Sequence, residues 1–62
     1  MNSSDGYFIQ EQRDGAWVRF AFYGCDEPGA VSNARWYNFL TRGRRVFRVI
    51  LRVADTVAVV YG

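Results

Sequence analysis

Residues 44–53 constrain the fold of this 62-residue chain more than any other stretch. Arg45, Phe47, Val49, Leu51 and Val53 fall on one side of a period-two pattern, and Arg44, Val46, Arg48, Ile50 and Arg52 on the other. β-Branched and aromatic residues in that period predict one long strand, following Arg42 and a stop at Gly43, with a face in a core. Its second face mixes arginine with aliphatic residues.

A hairpin precedes it. Tyr7 to Gln12 and Ala16 to Tyr23 read as strands, and Asp14-Gly15 between them is a two-residue turn signal, because glycine accepts positive φ. Pairing Arg13 with Ala16 then sets Glu11 opposite Val18, Ile9 opposite Phe20 and Tyr7 opposite Phe22 on one face. Phe8, Gln10, Gln12, Trp17, Arg19 and Ala21 take the other.

Gly24 ends the hairpin. Asp26 is placed to cap a helix, with Glu27 and Pro28 in its first turn, where a missing N–H does no harm. The helix is expected to run to Arg42 and stop at Gly43, with Ala30, Ala34, Tyr37 and Leu40 as its apolar stripe and Val31 and Trp36 at the margins. Gly29, Ser32, Asn33 and Asn38 are mediocre helix formers, and a start at Ser32 is the alternative. A last strand, Val57 to Tyr61, follows a turn at residues 54–56. A three-residue loop sets Val57, Val59 and Tyr61 on the core face; a two-residue loop sets Ala58 and Val60 there. The first buries more apolar area and is the expected one.

The order β-β-α-β-β predicts a small two-layer α+β fold: a four-stranded, mainly antiparallel sheet with one helix on one face. The expected core is Ile9, Val18, Phe20, Phe22, Ala34, Tyr37, Leu40, Phe47, Val49, Leu51 and Val59. Residues 1–6 are small and polar and expected to fray, leaving 7–62 as one domain. A chain this short buries only about 60% of its unfolded surface.

All eight basic residues are arginine, and the charge is uneven. Residues 1–31 hold two arginines against five acids, net −3; residues 32–62 hold six against one, net +5. A high-GC genome explains the arginine preference; so does selection for planar, bidentate contacts. The halves can attract each other or face an acidic partner.

The composition points away from most catalysis. There is no histidine to act as base or metal ligand and no lysine for a Schiff base. A lone cysteine, Cys25, makes neither an internal disulfide nor a zinc cage. The opening residues lack the pattern of a signal peptide, and no apolar run nears the ~20 residues that span a membrane. The expectation is a cytoplasmic, non-enzymatic protein with no cofactor and no bound metal.

The candidate site is therefore the sheet's second face, with Phe8, Gln10, Trp17, Arg19, Arg48, Ile50 and Arg52 as partner-binding residues. Trp and Arg are enriched at interface hot spots, and an exposed apolar patch marks binding or self-association. The plainer reading is that the aromatics cover one another under arginine stems. The alternative partner is nucleic acid, using the same face, with Arg42, Arg44 and Arg45 on phosphates. Against it stand the small net charge of +2 and the absence of an RNA-recognition signature around Val46 and Phe47.

The hairpin, with Tyr7, Ile9 and Gln10 followed by Gly15, Trp17 and Val18, resembles the openings of very short phage and prophage accessory proteins. The basic strand from Arg44 to Val49 is similar to theirs. The helix departs from that pattern, with Gly29, Asn33 and Asn38 where alanine and glutamate are usual. Such proteins, anti-CRISPR and host-takeover proteins among them, bind a host protein and block it. The resemblance thus implies an inhibitor or modulator of a host protein, in the host cytoplasm. A homodimeric module is the remaining alternative.

Overall fold

Five elements form, in the anticipated order. The computed structural model describes residues 5–62. They run β1 (Gly6–Arg13), β2 (Ala16–Gly24), α1 (Glu27–Thr41), β3 (Phe47–Val53) and β4 (Thr56–Tyr61). The strands make one antiparallel sheet in the order β2-β1-β3-β4, and α1 packs on β1, β2 and β3. This is the small two-layer α+β fold expected. Of the segment expected to fray, residues 1–4 lie outside the described residues; the Asp5 carboxylate accepts the Ala54 N–H at 3.0 Å.

Asp14 and Gly15 both take positive φ, 52° and 82°, the conformation that a tight two-residue hairpin demands. Arg13 pairs with Ala16, Gln12 with Trp17, Glu11 with Val18 and Gln10 with Arg19, as the turn requires. Further on the expected register fails. Ile9 pairs with Ala21 and Phe8 with Phe22, because β2 bulges at Phe20, between the pairs Gln10–Arg19 and Ile9–Ala21. One extra residue turns both Phe20 and Ala21 toward α1 and sends Phe22 to the other face. No glycine marks the irregularity at Phe20.

At the head of α1 the Asp26 Oδ1 accepts the Gly29 N–H at 3.0 Å, and a Cβ on Gly29 would collide with that carboxylate. The glycine that weakens a helix in isolation is what lets the cap fold over it. The helix ends at Thr41, and Arg42 itself takes the left-handed conformation, φ 53°, ahead of Gly43. Arg42 is thus outside the helix it was expected to close.

β3 is shorter than the period-two run. Arg44 donates its N–H to Thr41 O, so the chain still turns there. At Phe47 the side chain of Asn38 completes the strand: Nδ2 donates to Phe47 O at 3.1 Å and Oδ1 accepts Phe47 N–H at 2.9 Å. One amide thus docks the helix to the free side of β3's first residue.

The loop before β4 has two residues, not three. Ala54 takes a φ of 54°, held by Asp5 on its N–H and by Arg52 Nε on its carbonyl. Ala58 consequently lies opposite Leu51, Val59 opposite Ile50 and Val57 opposite Arg52. Val57 and Val59 belong to the uncovered face. An irregularity at Val60 then returns Tyr61 to the helix side, opposite Val49.

The core beneath α1 is Ile9, Ala30, Ala34, Phe47 and Val49. The alanines let the helix approach the sheet, and Phe20 and Tyr37 set their rings against Phe47 at 5.1 and 5.3 Å. Five residues expected inside, Val18, Phe20, Phe22, Leu40 and Val59, are exposed; Leu51 and Tyr37 are half-buried. The bulge and the shorter loop put Phe22 and Val59 on the face away from α1, Leu40 lies on an outward side of the helix, and Val18 and Phe20 sit on β2 at the sheet edge.

Candidate functional site: the open face of the sheet

The face opposite α1 is not a polar surface. Phe22, Phe8, Ile50 and Val59 form one row across all four strands. Phe8 is only 3% exposed and Ile50 4%, although no second layer lies above them. Their neighbours close over them. The Phe22 ring lies 4.7 Å from Phe8, and the Arg19 guanidinium sits 4.5 Å above the same ring. Arg48 reaches from β3 across β1, where its Nε donates to Gln10 Oε1 at 2.8 Å. Its guanidinium ends 4.1 Å over Trp17.

A guanidinium laid flat on a ring satisfies the ring's negative face and keeps its edge N–H groups pointing outward. The face is therefore self-covered and still rich in donors. Beside the Arg19–Phe8 stack lies a groove of about 330 Å³. Phe8 and Ile50 form its floor, Gln10, Arg19 and Arg52 its walls, and Asp55 and Val57 its far end. Five of the seven residues expected to bind a partner meet there; Trp17 and Arg48 stand beside it as a stacked pair. The arrangement suits a ligand with an apolar group for the floor and a carboxylate for the arginines.

The sequence reading missed Phe22, Asp55 and Val57, which depend on the bulge and the shorter loop. It missed a second feature as well. On α1, Trp36 stacks on Phe39 with centroids 5.9 Å apart, both exposed, beside a hollow of about 630 Å³ that includes Ser32, Asn33 and Arg35. The spacing of three between the aromatics was the available signal.

The three arginines proposed for phosphate line one hollow of about 400 Å³, in different states. Arg42 and Arg44 are exposed beside Leu40 and Thr41. Arg45 donates through Nε to Glu11 Oε2, and Arg13 Nε meets Oε1 of the same carboxylate at 3.0 Å. Glu11 is 2% exposed, on the helix side of β1. The hydrogen bond from Arg45, helped by Arg13, holds its carboxyl below the usual range against the opposing effect of burial, and Arg45 is raised in return. Burial, then the nearby Glu27 carboxylate, raises the Tyr7 hydroxyl.

Among the described residues no group of three or more acidic, cysteine or histidine side chains converges on a metal-sized site, and no helix is long and apolar enough to cross a membrane. Cys25 is exposed. Comparison with protein-family models, with curated proteins and with solved structures gives no match.

Proposed function

We propose that this chain is a small binding protein that acts by contact, without catalysis, and meets a partner protein on the open sheet face. The observation that carries the reading is the groove, where Arg19 and Arg52 meet the nearly covered side chains of Phe8 and Ile50. A partner segment with an acidic residue next to an apolar one fits it. The resemblance to phage accessory proteins makes that partner a host protein, and modulation or inhibition the outcome. Nucleic acid is the weaker partner. Base stacking needs open ring faces, and here Phe8 is buried and Trp17 lies under Arg48.

The stacked pair Trp36 and Phe39 supports a second reading, in which the partner docks on the helix. One experiment separates them. The tagged full chain is incubated with host lysate, with and without nuclease, and the retained proteins are identified by mass spectrometry for wild type, Arg52→Glu and Phe39→Ser. A protein retained through nuclease, lost with Arg52→Glu and kept with Phe39→Ser, is the expected result. The reverse pattern moves the site to the helix, and loss of signal on nuclease treatment moves it to nucleic acid.

A further inference from the structure

The sheet has two edges, guarded unequally, with the register break of β4 confined to Val60 near its end. β2 carries two register breaks and a charged residue, Arg19. Bulges and charges are the usual means of stopping an edge from pairing with another chain. β4 has neither along Thr56 to Val59. It is uncharged from Thr56 to Tyr61, contains no proline and is rich in β-branched residues. Residues 56–60 are all exposed. Among the described residues no strand pairs with its outer side.

We propose that β4 pairs antiparallel with β4 of a second copy, joining two sheets into one of eight strands. The register follows from the two-residue loop. Val53 and Thr56 form the hydrogen-bonded pair that closes such a hairpin, so Thr56 and Ala58 turn their backbone groups toward β3. Val57 and Val59 turn theirs outward. Two outward residues separated by one are self-complementary about a two-fold axis at Ala58. Val57 of each copy meets Val59 of the other through a pair of N–H···O=C bonds, and Ala58 faces Ala58. No like charges oppose each other.

The side chains fit the same register. On the open face the row Phe22, Phe8, Ile50, Val59 continues into Val57 and then Arg52 of the second copy, and the symmetric row runs back. Four half-exposed valines close on one another between the two Ile50 side chains. On the other face α1 packs on β1, β2 and β3 rather than on β4, and the small Ala58 pair lies at the axis. The second copy also walls the groove at its Val57 end, which is otherwise open to solvent. Pairing needs nothing bound in the groove. One strand per copy is a small interface, so the dimer is weak and reversible.

Sedimentation equilibrium of the full chain from roughly 10 to 500 µM brackets the affinities of such low-area contacts. Wild type is expected to pass from monomer to dimer. Ala58→Glu and Ala58→Lys, each confirmed folded by circular dichroism, place like charges opposite one another. Each is expected to raise the dissociation constant more than about tenfold. Mixing the two restores association as a heterodimer, and the uncharged control Ala58→Ser leaves the dimer intact. A wild type that stays monomeric throughout, a charged variant that dimerises as well as wild type, or a mixture that stays monomeric overturns the proposal.

Discussion

The two faces of this sheet bury apolar residues by opposite means. Under α1, Ile9, Phe47 and Val49 are sealed by alanines on a helix, and Glu11, the one buried charge among the described residues, is held by two arginines at the rim. On the open face Phe8 and Ile50 are sealed nearly as well, but by the residues beside them, Phe22 and Arg19 on Phe8 and Arg52 next to Ile50. A thin domain with one helix cannot cover four strands twice. Arginine serves as the second cover because its planar head lies on a ring while its stem excludes water. The same arginines therefore support the fold and leave donors for a partner of the kind proposed.

The largest test of that comparison sets one residue from each face side by side. Phe47→Ala removes the ring on which Phe20 and Tyr37 pack and is expected to cost about 3–5 kcal/mol, enough to unfold a domain this small. Ile50→Ala on the open face is expected to cost about 2 kcal/mol, the low end for such truncations, because its flexible cover can settle into the space. Urea denaturation followed by tryptophan fluorescence measures both. A cost for Ile50→Ala indistinguishable from zero breaks the comparison: the cover would then be no cover in solution.

A middle-sized effect tests the charge under the helix. Glu11 has a folded pKa below its unfolded value. Such a group contributes stability that is present above the unfolded carboxyl pKa, near 4.3 to 4.5, and is lost as pH falls through the lower folded value. Wild type is expected to lose stability on acidification below about pH 4.5. Glu11→Gln is expected to be less stable at pH 7, with a flatter acid limb. Denaturation midpoints at pH 3 and pH 7 for both proteins decide it. An acid limb as steep in the variant as in wild type would assign the loss to other carboxylates.

Where the chain turns by local chemistry, its structure was legible. Asp14-Gly15 announced the first hairpin, Asp26 and Pro28 announced the helix, and the alternation around Val49 announced the central strand. What escaped was set by tertiary context. The bulge that carries Phe22 outward needs no special residue; the adjacent aromatics Phe22 and Tyr23, which break alternation, were its only trace. Ala54 adopts a conformation alanine rarely takes, because Asp5, far away in sequence, accepts its N–H. Asn38 looked like a weak helix former and is the clasp between helix and β3. The candidate face was legible in its membership, since five of its seven residues line one groove. It was not legible in its state, since alternation places a side chain on a face without telling what lies over it.

The smallest effect bears most directly on the dual use of arginine. Trp17 lies at the margin of the open face, half-buried beneath Arg48 and outside the groove. Replacing either member of this partly exposed stack is expected to cost only about 0.5–1 kcal/mol. Trp17→Ala should therefore leave the circular dichroism spectrum unchanged and the fold intact. The binding consequence is larger. Without the ring, Arg48 loses the surface that fixes its head and keeps only its bond to Gln10, so affinity for the captured partner should fall while Ile50→Val, a milder change on the same face, leaves it near wild type. Trp17→Ala that unfolds the chain would place the ring in the core and reduce Arg48 to a structural lid. A folded Trp17→Ala with undiminished binding would show that the stack is cover alone, and would leave Arg19 and Arg52 as the only donors the groove uses.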